Sequence, residues 1–147
     1  MTMQSLPCGA MLVVAALVAA PAPTLALDVS GKWSYEVSAG WKRGPCPAGK
    51  GGSGEIQMTQ KGDAVTLVFL SGRKCRPKSM CIFAGALAGQ KLVAKNAATV
   101  DDEGGQAKNE ITLTFSGSDA GSGTSESSYT HPQGMECRWG STLKLKR

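Results

Sequence analysis

The sequence predicts an all-β domain: an eight-stranded antiparallel up-and-down barrel, stapled by disulfides at one end. Three observations carry this expectation. Beyond residue 27 apolar and polar residues alternate with period two, and no stretch holds a helical stripe of useful length. Gly-rich breaks at intervals of about ten residues cut the chain into strand-length runs. Short and long breaks then take turns along the chain, as they do when consecutive strands run up and down.

Residues Ala10 to Ala20 (AMLVVAALVAA) are continuously apolar, as long as the core of an export signal and too short to span a bilayer. Thr24-Leu25-Ala26 places small residues where a signal peptidase cuts, so residues 1–26 read as a signal peptide and 27–147 as a single domain. Cys8 precedes the apolar run and is therefore no lipid anchor. The expected location is periplasmic or extracellular, with no transmembrane segment in the mature chain. All 16 basic and 11 acidic residues lie past Ala26, so the domain keeps the full charge of +5.

The first strand is expected at Gly31–Val37, where Gly31-Lys32-Trp33 opens an alternating run. Ser53–Gln60 and Ala64–Leu70 follow, joined by the tight turn Lys61-Gly62-Asp63. The run AVTLVFL is apolar on both faces, so its period alone does not choose an inward set. Ser79–Leu87 and Lys91–Val100 form a second hairpin around Ala88-Gly89-Gln90, and Asn109–Gly117 and Gly123–His131 a third across Ser118 to Ser122. Met135–Lys146 closes the chain. An open sheet of such strands would expose two edges, and pairing the last strand with the first removes both. A two-sheet sandwich is the competing arrangement. Inward positions are Trp33, Tyr35, Ile56, Met58, Leu67, Phe69, Phe83, Ile111, Leu113, Phe115, Trp139, Leu143 and Leu145.

The longer connections, Ser38–Gly52, Ser71–Lys78 and Asp101–Lys108, fall at one end, the mouth. Threading the chain this way gathers Cys46, Cys75, Cys81 and Cys137 there. An even cysteine number in an oxidising compartment favours disulfides, and the isolated spacings do not suit zinc. With the last strand beside the first, Cys46–Cys137 and Cys75–Cys81 is the preferred pairing, and Cys46–Cys75 with Cys81–Cys137 the alternative. The same threading brings Lys42, Arg43, Lys50, Arg73, Lys74, Arg76, Lys78 and Arg138 to the mouth, half of the 16 basic residues. Asp101, Asp102 and Glu103 oppose them in part. A merely solvated face competes with a rim that attracts an acidic partner or an anionic ligand. Trp41, beside Lys42 and Arg43, completes the candidate binding rim.

Gly31-x-Trp33 on the first strand, the long loop after it, the meander of eight and the basic residue ending the last strand together resemble the calycin group of lipocalins, fatty-acid-binding proteins and avidins. The resemblance implies that Trp33 plugs the closed end of the barrel with a basic side chain, Arg147, lying over its ring. Both residues would then be scaffold. It also implies a choice of roles, since such barrels carry small apolar molecules inside, and small stapled barrels of similar build inhibit secreted hydrolases through their loops. The avidin signature Asn-x-x-Gly-Ser is missing after Trp33, so biotin is not implied.

Catalysis finds little support. The one histidine, His131, sits in a Thr-His-Pro-Gln turn without an adjacent nucleophile elbow, and the acids Glu36, Glu55, Glu110, Glu126 and Glu136 fall on outward positions. Asp101-Asp102-Glu103 lacks the alternating oxygen spacing of a calcium loop. A basic composition permits nucleic acid, but the aromatics needed as stacking platforms are too few. The expectation is a non-enzymatic, monomeric binding protein without cofactor or metal. Its charged mouth loops, or the N-terminal segment Leu27–Ser30, would engage a protein partner, with a hydrolase as one target. An internal carrier of a small apolar or amphipathic ligand and a structural envelope protein are the alternatives.

Overall fold

The computed structural model describes residues 26–147. The export signal expected over residues 1–26 lies, apart from Ala26, outside these residues. Eight strands follow one another: β1 (Gly31–Arg43), β2 (Gly52–Lys61), β3 (Ala64–Phe69), β4 (Ile82–Ala88), β5 (Lys91–Thr99), β6 (Gln106–Phe115), β7 (Ala120–Thr130) and β8 (Glu136–Lys146). Each pairs antiparallel with its sequence neighbours, and β8 returns to β1 to close the barrel. Closure satisfies the backbone groups that a sandwich would leave at its edges.

Inward positions follow the alternation. Val65, Leu67 and Phe69 of β3 are buried, which resolves the strand whose two faces were equally apolar. The ring of Trp33 tilts against that of Phe115 at 5.4 Å between centroids, and Ile56, Met58, Leu67, Phe83, Leu92 and Leu113 pack around them with essentially no exposure. Each such side chain contributes about 1.5–3 kcal/mol by leaving water. Gly121 and Gly123 on β7 are required by this packing: a side chain at Gly123 would strike the Thr112 carbonyl, and one at Gly121 would crowd the Phe115 ring.

The N-terminal segment seals the closed end. Val29 is fully buried, its N–H donates to Gln60 Oε1 at 2.9 Å, and Gln60 Nε2 donates to the Leu27 carbonyl at 3.1 Å. Trp33 Nε1 donates to the Val29 carbonyl at 2.9 Å, so the one polar atom of the plug is satisfied. Arg147 lies 4.6 Å over the Trp33 ring and donates to the Ser30 carbonyl at 2.7 Å. Leu27–Ser30 is therefore a strap docked at the closed end.

Two elements differ from the sequence expectation in ways that shape the mouth. β1 runs six residues beyond Val37, to Arg43, with a bulge between Ala39 and Lys42, and this extension pairs with β8. The irregular register breaks the period-two signal that marks a strand in sequence. On the other side, Lys78–Cys81 forms a short 3-10 turn and β4 begins only at Ile82. The wall formed by β5 to β8 and β1 thus stands higher than the wall of β2 to β4.

Candidate functional site

The upper barrel is built from connections that all emerge at one pole. Cys46 bonds Cys137 and Cys75 bonds Cys81, so the preferred pairing is the one formed and both staples sit at the mouth. The first ties the β1–β2 connection to the start of β8, and the second clasps the β3–β4 connection into a small ring. The β7–β8 turn also belongs to this pole, a fourth mouth loop that the alternation rule places there.

This fourth loop is tied to the third. Tyr129 donates to the Asp101 carboxylate at 2.6 Å, and Asp101 also accepts from the Gly105 N–H at 2.7 Å. The tyrosine bond, helped by that N–H, holds Asp101 below the usual carboxylate range, while Tyr129 is pushed up to about 12, chiefly by the same bond. His131 Nε2 lies 2.7 Å from Glu103, and its Nδ1 accepts from the Gln133 N–H at 3.2 Å. Two of the three acids that oppose the positive rim, Asp101 and Glu103, are therefore engaged within their own corner, while Asp102 is exposed.

The basic residues are spread around the rest of the rim. Register sets Lys42 opposite Trp139 and Arg43 opposite Arg138, so Lys42 lies on the cavity side of the β1 extension and the two arginines on its outer side. Trp41 rests its indole against the backbone of Gly140, with the Arg43 guanidinium 5.7 Å over its ring, and still exposes 45% of its surface. Lys74, Arg76 and Lys78 project from the β3–β4 connection into solvent. Among the described residues the ion pairs join Lys32 to Glu55 and Lys95 to Glu110, neither involving a rim lysine or arginine.

Arg73 behaves differently from its neighbours. Its guanidinium folds into the barrel, 5.3 Å over the Phe69 ring and 5.5 Å over Phe83. Burial pulls its pKa below the ordinary arginine value. Tyr35 stands beside it, its hydroxyl donating to the Ser71 carbonyl at 2.9 Å and its pKa raised by burial. Both line a cavity of about 200 Å³ that opens at the mouth beneath Lys50 and is floored by Phe69 and Ile111. Its far wall is polar: the Ser127 hydroxyl donates to Asn109 Oδ1 at 2.5 Å, Asn109 Nδ2 donates to Asn96 Oδ1 at 2.7 Å, and Asn96 Nδ2 donates to the Met80 carbonyl at 2.9 Å. Ser125 and Ser141, directly paired across β7 and β8, complete it, with Trp139 above.

Sequence reasoning named Arg73 and Lys50 at the mouth and Tyr35, Phe69, Ile111 and Trp139 as inward, but missed Asn109, Ser125, Ser127 and Ser141 as parts of the same lining. The signal was in β7, whose inward positions Gly121, Gly123, Ser125 and Ser127 carry no apolar bulk. A barrel strand without large inward residues leaves space on its side of the interior.

No known family, curated protein or solved structure matches this chain. Among the described residues no helix is long and apolar enough to cross a membrane, and no three His, Cys, Asp or Glu side chains cluster as a metal site. The two disulfides fit a chain folded in an oxidising compartment.

Proposed function

We propose that this is an exported, non-enzymatic binding protein of calycin-like build whose mouth engages an acidic protein partner, a secreted hydrolase being the leading class of target. The observation that carries the reading is the asymmetry of charge at the mouth. Lys42, Arg43, Lys74, Arg76, Lys78 and Arg138 are exposed without a carboxylate partner among the described residues, while Asp101 and Glu103 are occupied by Tyr129 and His131. An unneutralised positive arc steers acidic surfaces and speeds their association. Trp41, rigidly seated yet half exposed next to Arg43, has the make-up of an interface anchor. The calycin likeness is supported by Arg147 over Trp33 and by the meander itself.

The carrier reading has less behind it. The lower barrel is filled by Trp33, Phe83 and Phe115, and the cavity above is smaller than the roughly 300–1,000 Å³ that drug-sized ligands occupy. Its walls carry serines and an arginine, poor company for an apolar molecule. The test is native mass spectrometry of the protein isolated from its source, followed by binding kinetics with any co-purifying hydrolase. Reversal of Lys42, Arg43, Lys74 and Arg76 to Glu should cut the association rate about tenfold or more at low salt, and raised ionic strength should do the same to the unaltered protein. Binding that ignores both salt and reversal sinks the reading, as does recovery of an apolar molecule in place of a protein.

A further inference from the structure

We propose that the cavity under the mouth is a binding site for a small hydroxylated carboxylate, with Arg73 receiving the carboxylate and the serine–asparagine wall receiving the hydroxyls. The site is distinct from the outer rim and does not depend on the protein partner.

The starting point is a charge without a counter-charge. A guanidinium withdrawn from water is costly to hold unless a partner compensates it. Arg73 is partly buried above Phe69 and Phe83, yet none of the ion pairs among the described residues includes it. Its neighbours Lys74, Arg76 and Lys78 remain in solvent, so inward placement is not a general property of this loop. Two rings hold Arg73 in place while leaving its N–H groups uncommitted to any acid of the described chain. The planar fork of an arginine matches a carboxylate in bidentate fashion. Lys50 at the cavity opening adds a second positive charge to attract such a group.

The remaining polar atoms specify what is attached to the carboxylate. The Tyr35 hydroxyl spends its proton on the Ser71 carbonyl and the Ser127 hydroxyl spends its own on Asn109. Each is left with oxygen lone pairs, and lone pairs call for donors. Ser125 and Ser141 offer hydroxyls that donate or accept. A plain carboxylate leaves these acceptors to water, and an uncharged sugar leaves Arg73 so. A molecule with one carboxylate and hydroxyl groups addresses both sets. Size points the same way: an apolar cavity of about 150 Å³ holds benzene, so about 200 Å³ admits a short hydroxy acid, or the acidic end of a sugar acid reaching out through the mouth.

The experiment is calorimetric and thermal titration of the full oxidised protein with D-glycerate and D-glucuronate, against acetate, D-glucose and inorganic phosphate. The expected result is saturable binding of a hydroxy acid, with a rise in Tm of about 10 °C at a hundredfold excess over Kd, and at least tenfold weaker binding of acetate and glucose. Arg73→Leu should lose the ligand-dependent rise while melting no lower than the unaltered protein without ligand, because a desolvated charge has been removed. If Arg73→Leu does not fold, Ser125→Val, which fills the cavity and spares Arg73, should abolish binding instead. Equal shifts from every anion, stronger binding of phosphate than of either hydroxy acid, or undiminished binding in both variants would overturn the assignment. A rim reversal confined to Arg43 and Arg76, which leaves the cavity-side Lys42 in place, leaves hydroxy-acid binding within about twofold at physiological salt, since those side chains lie outside the cavity lining. The two sites therefore fail separately.

Discussion

The two poles of this barrel are held together by different physics. At the closed end, Trp33 is without exposure, its indole N–H is bonded, and Arg147 covers its ring while the Leu27–Ser30 strap crosses beneath. At the mouth, one wall of the interior carries serines and an asparagine, an arginine is inserted without an acidic partner among the described residues, and both disulfides are found. Covalent staples stand where side-chain packing is thinnest. A pole that keeps polar groups, space and unpaired charge for binding cannot also be stabilised by a dry core, and cross-linking supplies what packing does not.

The comparison breaks most readily at the plug. Trp33→Ala should cost about 3–5 kcal/mol, the range for deleting a large aromatic from a core, because the ring of Phe115 and the surrounding aliphatic chains cannot collapse into the space inside a closed barrel. Urea unfolding reads this as a lower midpoint with the transition still in one step. A loss below about 1 kcal/mol would mean that the strap and Arg147 alone hold the closed end.

Removing the long-range staple sharpens the contrast. Cys46 and Cys137 are 91 residues apart, and the chain-entropy account gives their bond about 4.6 kcal/mol, the middle of the observed range being lower. Replacing both with Ser should lower stability by about 2–4 kcal/mol, with hydrogen-exchange protection falling first in the β1 extension and at the start of β8. The 27–33 region should keep its protection until global unfolding. Uniform loss at both poles would deny the division of labour drawn here.

Much of the closed end was legible in the chain, because its determinants are local and periodic: Gly31-x-Trp33 at a strand start, alternation through Ile56, Met58, Leu67 and Leu113, and a terminal basic residue. The disulfide pairing was legible as soon as β8 was set beside β1, since closure makes Cys46 and Cys137 neighbours. The mouth was less so. The bulge near Gly40 hides the strand that carries Trp41, Lys42 and Arg43, and a loop cation such as Arg73 reads as solvated when nothing local announces two rings beneath it. Asn109 and Ser127 come together only through cross-strand register, which no single segment encodes.

The smallest expected effect is the most local, and it separates the poles by pH. Tyr129 titrates at about 12 in the folded chain, against about 10 for an ordinary tyrosine, because it donates to Asp101. A proton held more tightly folded than unfolded stabilises fully below about pH 10, and that contribution vanishes as pH climbs through 12. Asp101 moves the other way: with its folded value lowered, its contribution is present above the ordinary value of about 3.9 and disappears as pH falls through the lower one. Between these limits the third and fourth mouth loops stay clasped. Methyl NMR should therefore show Ala107, directly opposite Tyr129 in the β6–β7 register, shifting in the alkaline window while Leu113, deeper toward the plug, holds its resonance. Tyr129→Phe should remove the alkaline step at Ala107 and leave Leu113 unchanged. Both methyls moving together, in the variant as in the parent, would mean that alkali acts on the whole barrel and that the clasp is not what divides its ends.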